Sequence, residues 1–293
     1  MYRGAYTAIV TPFTAEGAID ETALQALIEA QIAGGIDGIV PCGTTGESPT
    51  LSHEEHNRVI ELVVKFVAGR CKVIAGTGSN STAEAIQLTQ EAQRMGADAT
   101  LQVAPYYNKP TQEGLYQHFR AIAEQGGLPI IIYDIPGRTG VGIALDTLVR
   151  LQKDLPQQII GIKEATGTTE RIAAMRAQLG NDFSILSGDD SLTLPMMSLG
   201  ADGVISVASN VAPSQVSEMV HTALAGNFTQ AREMNARLSP LFKDLFIETN
   251  PIPVKAALAI AGRIQEIYRL PLTPMAAANR ARLEQTLRSG GFV

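Results

Sequence analysis

The chain has 293 residues, of which 45% are hydrophobic and 18% charged, a composition typical of a compact folded domain rather than a disordered or fibrous chain. Its formal net charge is −6 and it has no run of lysine and arginine, so we expect a small-molecule partner, with no nucleic acid and no membrane. Two cysteines without a metal or redox spacing, and no apolar run of signal-peptide or membrane-spanning type, predict a cytoplasmic protein.

Eight short apolar segments rich in branched residues follow one another along the first two thirds of the chain. Their hydrophobicity is continuous rather than alternating, which is typical of strands that are buried on both faces of a parallel sheet. The segments are 6–10, 38–40, 73–75, 99–103, 130–133, 159–162, 183–186 and 203–207.

Amphipathic helical patterns separate these segments. One begins after Asp20, a second follows the capping-box pattern of Ser52 and Glu55, and a third follows the same pattern at Ser81 and Glu84. Eight strands alternating with helices predict an α/β fold, a (β/α)8 TIM barrel. The alternative is an open, doubly wound sheet, which the lack of a GxGxxG motif after the first strand disfavours.

From residue 212 onward the strand pattern ends and helical patterns continue, interrupted by prolines in 249–253 and 270–274. We therefore expect residues 1–211 to form the barrel with the catalytic site. Residues 212–293 are expected to supply the remaining barrel helix and a C-terminal helical extension. No linker precedes this extension, so it should pack on the barrel.

Lys163 directly follows the apolar segment 159–162. Active sites of such barrels lie at the carboxyl ends of the strands. Burial there would favour the neutral amine that a Schiff base requires. The alternative is a lysine that pairs with Glu164 and extends toward solvent.

Three other strand ends are also polar. Tyr133 ends an apolar segment, where a phenol could pass protons together with Tyr107 and a threonine hydroxyl; a packed ring is the alternative. Arg138 could bind a carboxylate or make a loop salt bridge. Thr44 and Thr45, between glycines, suit a second carboxylate.

The four histidines do not suggest a metal site. His53 and His56 lie three apart at a helix start, His118 and His221 are remote in sequence, and no cysteine joins them. We therefore expect covalent amine catalysis without a metal.

Six ordered motifs, together with 249–255 in the tail, resemble the dihydrodipicolinate synthase family of the pyruvate-dependent class I aldolase (N-acetylneuraminate lyase) superfamily. The resemblance spans nearly the whole chain. The motifs are 43–47, 106–111, 133–140, 162–164, 186–190 and 203–207.

The resemblance implies that pyruvate forms a Schiff base with Lys163 and that its enamine attacks L-aspartate 4-semialdehyde, in the synthesis of diaminopimelate and lysine. No cofactor is implied. Tyr133, Thr44 and Tyr107 would form a proton relay. Tyr107 would come from a neighbouring subunit of a homotetramer built as a dimer of dimers.

The resemblance also implies that Thr45 holds the carboxylate of pyruvate and Arg138 that of the semialdehyde, with Gly188 and Ile205 at the substrate. One alternative is a superfamily member that cleaves sugar acids, N-acetylneuraminate or 2-keto-3-deoxygluconate. Those relatives commonly have Gly-Ser-Thr-Gly-Glu at 43–47 and lack the arginine. A non-catalytic barrel that binds pyruvate or lysine is the third possibility, and the joint presence of the catalytic residues argues against it.

Two departures from the family pattern affect these expectations. Asp134 replaces the more usual Asn, which would add a negative charge near the relay and shift the pH optimum. Pro49 replaces a small residue in the site at which lysine inhibits relatives. The resemblance implies feedback inhibition by lysine, weakened by Pro49, at Ser48, Pro49, His53, His56, Asn80, Glu84 and Tyr106.

Overall fold

The computed structural model describes residues 1–293 and contains a closed barrel of eight parallel strands in sequence order. The predicted TIM barrel is therefore confirmed, and the open doubly wound sheet is excluded. Every predicted segment is a strand, with ends that differ by up to two residues. The strands are β1 Gly4–Ala8, β2 Gly38–Val40, β3 Lys72–Gly76, β4 Ala99–Val103, β5 Ile130–Asp134, β6 Ile159–Glu164, β7 Ser184–Ser187 and β8 Gly203–Ser206.

Twelve α-helices surround and extend the barrel, and two 3₁₀ turns, Ser48–Thr50 and Ala208–Asn210, follow β2 and β8. Helices α1 to α9 connect or follow the strands, and α10 to α12 form the C-terminal extension. The helices are α1 Glu21–Ala33, α2 His53–Val67, α3 Thr82–Met95, α4 Gln112–Gln125, α5 Pro136–Thr139, α6 Leu145–Asp154, α7 Glu170–Leu179, α8 Thr193–Ser198, α9 Pro213–Leu224, α10 Phe228–Asp244, α11 Ile252–Ile260 and α12 Ala277–Ser289.

The apolar core has two layers. A cluster of 10 buried residues fills the barrel, whereas 64 lie in the shell that includes the strand faces and the surrounding helices. In β5, Ile131 and Tyr133 point inward, and Ile130 and Ile132 point outward. Both faces are buried, which explains why the strands read as continuous apolar runs.

Helix start signals were predicted correctly for α2 and only in part for α3. The Ser52 side chain accepts from the Glu55 N–H, and the Glu55 carboxylate accepts from the Ser52 N–H, so the capping box is complete. Ser81 caps α3, but the Glu84 carboxylate contacts the Ser79 hydroxyl and the His53 ring instead of returning to the Ser81 N–H. Glu84 is therefore available for another role.

The C-terminal extension packs on the barrel side that carries the β2–α2 loop. Lys255 of α11 forms a fully buried ion pair with Glu47. Arg269 binds the Glu55 carboxylate at 2.6 Å and the Gly17 carbonyl at 2.7 Å. No helix is both long and apolar enough to span a membrane.

Candidate active site

Lys163 lies near the carboxyl end of β6 and is paired in register with Tyr133 of β5. Its side chain points into the barrel, with Nζ 4.3 Å from the centroid of the Tyr133 ring. The residue is only 5% exposed. Glu164 points the opposite way, with its carboxylate 3.5 Å from the Arg171 guanidinium. The alternative of a Lys163–Glu164 pair is therefore wrong.

Burial lowers the pKa of Lys163 to about 8, because an apolar environment disfavours the ammonium form. The negative charge of Asp190 opposes this shift and the positive charge of Arg138 reinforces it. Asp190 is itself buried, and it accepts hydrogen bonds from the Ser206 hydroxyl at 2.5 Å and the Ala208 N–H at 2.9 Å. A substantial fraction of Lys163 is therefore neutral near physiological pH.

Tyr133 and Thr44 lie on the same cavity as Lys163. Burial raises the pKa of Tyr133 to about 12, while the Arg138 charge and the Thr44 hydroxyl act in the opposite direction. The phenol is thus protonated at neutral pH and can donate a proton or a hydrogen bond next to the amine.

Thr45 and Arg138 are held together by a residue that the sequence analysis did not single out, Asn250. The Asn250 side-chain Nδ2 donates to Thr45 Oγ1 at 3.0 Å, and the Asn250 main-chain carbonyl accepts from Arg138 Nη2 at 3.1 Å. Arg138 lies in the short helix α5 and forms no salt bridge, so its alternative interpretation as a loop ion pair is wrong. Its guanidinium faces the Lys163 cavity uncompensated by a carboxylate.

Gly188 and Ile205 occupy different surroundings. A side chain at Gly188 would put its Cβ 2.7 Å from Ala165 Cβ and 3.1 Å from Lys163 Cε, so only glycine leaves room beside the amine. Ile205 packs in the apolar cluster inside the barrel, together with Tyr133, and its side chain is not among those that line the cavity.

Tyr107 is the one predicted relay residue that this chain does not bring to Lys163. Its side chain is 90% exposed, and its backbone has a φ of 73°, a conformation uncommon for a non-glycine residue. The neighbouring Tyr106 instead faces a groove on the same chain. The Tyr107 side chain therefore extends away from the body of this chain.

Two adjacent spaces lie at this end of the barrel. The inner cavity, of about 50 Å³, contains Lys163 and Gly188, and the outer groove measures about 460 Å³. Thr44, Tyr133 and Arg138 line both spaces. The groove therefore shares its inner wall with the site around the amine.

Most of the residues that the family resemblance assigns to binding of the inhibitor lysine lie in this groove. His53 and the Glu84 carboxylate are 2.7 Å apart, and hydrogen bonding from Ser79, followed by contact with His53, lowers the pKa of Glu84. Asn80 is outside the lining, but its amide donates to the Tyr106 carbonyl at 3.1 Å. The lining includes Ser48, Pro49, His53, His56, Glu84 and Tyr106.

Asp134 does not lie near the proposed relay, contrary to the expectation from the sequence. It follows the inward-pointing Tyr133, so its side chain lies on the outer face of β5, where it binds Arg171 at 2.7 Å and accepts from the Ile143 N–H at 3.3 Å. The charge is compensated on that face. The expected effect on the relay therefore has no structural basis.

Three further residues near the site escaped the sequence analysis: Glu47, Lys255 and Asp190. All three were part of quoted motifs, but no role was assigned to them. Their roles depend on contacts between distant parts of the chain, such as the 208 residues that separate Glu47 from Lys255. Only their motif membership could have signalled them.

A partly neutral lysine amine at the end of a barrel strand, with a protonated phenol and an unpaired arginine beside it, defines a lyase of the Schiff-base-forming class. The chain belongs to the dihydrodipicolinate synthetase family, whose model matches residues 1–289. A curated relative from Syntrophus aciditrophicus (strain SB), 4-hydroxy-tetrahydrodipicolinate synthase, is 55% identical over 293 residues, covering 100% of both chains. The crystal structure of dihydrodipicolinate synthase from Aquifex aeolicus is 52% identical, with a TM-score of 0.97 and 99% of each chain covered.

Other similar structures are described with a bound ligand or as a monomer. The enzyme from Acinetobacter baumannii is complexed with pyruvate (48% identity, TM-score 0.97, 100% of both chains). The enzyme from Cyanidioschyzon merolae has lysine bound (42% identity, TM-score 0.96, 100% of this chain and 99% of that one). One relative is a monomeric dihydrodipicolinate synthase variant (42% identity, TM-score 0.97, 100% and 98%).

Proposed function

We propose that the protein is a 4-hydroxy-tetrahydrodipicolinate synthase, which condenses pyruvate with L-aspartate 4-semialdehyde through a Schiff base on Lys163. The observation that carries the proposal is the buried amine of Lys163, which has no ionic partner and lies beside Tyr133. The same cavity is lined by Arg138, whose guanidinium has no carboxylate partner in the protein. Family membership over nearly the whole chain supports the same reaction.

The covalent steps follow from the chemistry of the amine. The neutral Lys163 amine adds to the pyruvate ketone, and loss of water gives the imine. Removal of a methyl proton then gives the enamine, whose carbon attacks the aldehyde of the second substrate. The substrate's amino group finally attacks the imine carbon, closes the ring and releases the Lys163 amine.

Proton transfers in these steps need a group that can both donate and accept. Tyr133 is protonated at neutral pH and faces Nζ. Thr44 lies beside it on the same cavity. We assign the relay to these two residues and to Tyr107 of a neighbouring subunit, since the exposed Tyr107 side chain of this chain extends away from its own site.

The two substrate carboxylates need different partners. Thr45, buried and adjacent to the Lys163 cavity, is assigned to pyruvate. The Arg138 guanidinium, which has no carboxylate partner in the protein, is assigned to the semialdehyde because a planar fork binds a carboxylate through two hydrogen bonds. The aldehyde substrate of a sugar-acid aldolase, such as N-acetylmannosamine, has no carboxylate and therefore does not need this guanidinium.

Two assays on one preparation test the proposal. Borohydride reduction with pyruvate should add the mass of the reduced adduct to Lys163 alone. Untreated protein from the same preparation should turn over pyruvate with aspartate semialdehyde and not with N-acetylmannosamine. Turnover of only the latter would make it a sugar-acid aldolase, and trapping without any turnover would make it a binding barrel.

The assembly that we propose is a homotetramer built as a dimer of dimers, in which Tyr107 of a partner completes the relay assigned above. Sedimentation and a Tyr107→Phe variant test this together. Loss of activity on dilution to the monomer would support the assignment. A fully active monomer would overturn it.

The groove next to the site is proposed to bind L-lysine as a feedback inhibitor. The Glu84 carboxylate, with its lowered pKa, supplies a negative charge that can bind an ammonium group. Titration with L-lysine should inhibit turnover, and Glu84→Gln should weaken that inhibition while pyruvate trapping continues. No inhibition at millimolar lysine would reject the regulatory site.

With two free cysteines, the protein is proposed to work in the reducing cytoplasm.

A further inference from the structure

Asn250 contacts both residues that are assigned to the substrate carboxylates, Thr45 and Arg138. Its side-chain Nδ2 donates to Thr45 Oγ1, and its main-chain carbonyl accepts from Arg138. The residue is 6% exposed and lines the same cavity as Lys163. These contacts use the amide nitrogen and the backbone, and they leave the side-chain oxygen unused.

That oxygen, Asn250 Oδ1, is buried and has no hydrogen-bond partner in the protein. Most buried polar side-chain atoms have a partner, so an unpaired acceptor on a residue that lines a cavity requires an explanation. An acceptor of this kind is satisfied by a ligand that brings an N–H or O–H group. The unpaired oxygen therefore suggests that the substrate supplies a hydrogen-bond donor.

The position of Arg138 identifies which donor. The second substrate is an α-amino acid, so its amino group is two bonds from the carboxylate carbon. If Arg138 binds that carboxylate, the amino group lies close to the guanidinium, and Asn250 is hydrogen-bonded to the same guanidinium. Pyruvate carries no such donor.

Asn250 is also held rigidly, as a binding residue must be. It lies two residues before α11, and Lys255 of α11 is locked to Glu47 in a buried ion pair. The Tyr268 hydroxyl donates to the Ile252 carbonyl at 3.0 Å. The start of the helix that directly follows Asn250 is thus fixed to the rest of the fold at two points.

We propose that the side-chain carbonyl of Asn250 accepts a hydrogen bond from the amino group of aspartate semialdehyde and thereby selects, as the second substrate, an aldehyde that is also an α-amino acid. This inference rests on the proposed function. It assigns to Asn250 a role in specificity that is separate from its contacts with Thr45 and Arg138.

The test compares aspartate semialdehyde with succinate semialdehyde, which has the same carboxylate and aldehyde but no amino group. The quantity measured is the inhibition constant of succinate semialdehyde divided by the KM of aspartate semialdehyde, above pH 8. In Asn250→Ala this ratio should fall about 10- to 100-fold, the usual range for losing one hydrogen bond to a charged group. Arg138 keeps its contact in this variant because that contact uses the backbone.

Asn250→Asp serves as the rescue variant, since a carboxylate keeps the acceptor, and its ratio should stay near the wild-type value. Asn235→Ala is the matched control, because Asn235 Oδ1 of α10 also lacks a partner but lies outside the cavity. The control should leave the ratio unchanged.

Three outcomes would overturn the inference: an unchanged ratio in Asn250→Ala, an equal loss in Asn250→Asp, or a rise in the KM of pyruvate alone. The last would mean that the amide only orients Thr45. Borohydride trapping of pyruvate on Lys163 is measured in every protein. Failure of trapping in the wild type would reject the proposed function itself, and not the role of Asn250.

Discussion

Two lysines are buried in this fold, and they differ in ionic partner and in access to a cavity. Lys163 has no ionic partner and faces the Tyr133 ring at the edge of a cavity. Lys255 is completely buried and paired with Glu47, and the Phe13 ring lies 4.3 Å from its Nζ. Burial alone therefore does not create a nucleophile. The missing counter-charge and the access to a cavity separate the reactive lysine from the structural one.

The largest effect is expected from removing the reactive amine. Lys163→Ala should reduce turnover by at least about 1,000-fold, because no other group can form the imine, and borohydride trapping should disappear. Lys65→Ala, on the exposed face of α2, is the control and should keep both. Retained turnover in Lys163→Ala, or an adduct on another lysine, would contradict the mechanism.

Removing the structural lysine should affect folding rather than chemistry. Lys255→Met leaves the Glu47 carboxylate buried and unpaired, which should lower the free energy of unfolding by about 3–5 kcal/mol. Urea denaturation measures this loss. The double variant Lys255→Met/Glu47→Gln should recover part of it, because no buried charge remains. Equal losses in the single and double variants would mean that the ion pair is not the source of the effect.

The pH dependence should report the unpaired amine. The neutral form attacks pyruvate, so kcat/KM for pyruvate should rise with pH and level off above about 8. The Asp190 charge raises the pKa of Lys163; Asp190→Asn should therefore move the inflection to lower pH. Asp189→Asn is the control. An inflection that stays in place in Asp190→Asn would show that this charge does not tune the amine.

The smallest effect is expected at Asp134. Since its side chain lies behind the strand and binds Arg171, Asp134→Asn should leave the inflection unchanged and cost about 1–3 kcal/mol of stability, from the weakened contact to Arg171. A pH–rate profile and a thermal melt of the same variant measure the two quantities. A shifted inflection with unchanged stability would restore the expectation from the sequence.

The sequence was sufficient for the barrel because each strand is a continuous apolar run and each strand end that carries chemistry is polar. Lys163, Tyr133, Thr44 and Arg138 could be selected on that basis, and the structure brings all four to one cavity. Strand alternation also places Asp134 on the face opposite Tyr133, a consequence that the sequence analysis did not draw.

Long-range contacts were beyond the reach of the sequence. The hydrogen bond between Asn250 and Thr45 joins residues 205 positions apart, and local periodicity carries no information about such pairs. Glu84 shows the opposite failure. A local capping pattern explained it, yet its carboxylate binds Ser79 and His53 across the groove, because a side-chain partner outcompeted the cap.

The buried ion pair of Lys255 also bears on when the enzyme becomes complete during synthesis. Glu47 lies in the loop that carries Thr44 and Thr45. Lys255, in contrast, is synthesised only after more than four fifths of the chain. The barrel strands end at Ser206, so the nascent chain carries a full set of strands before that loop receives its anchor. A ribosome-bound chain could then form the barrel strands but would stay inactive until its last helices leave the ribosome.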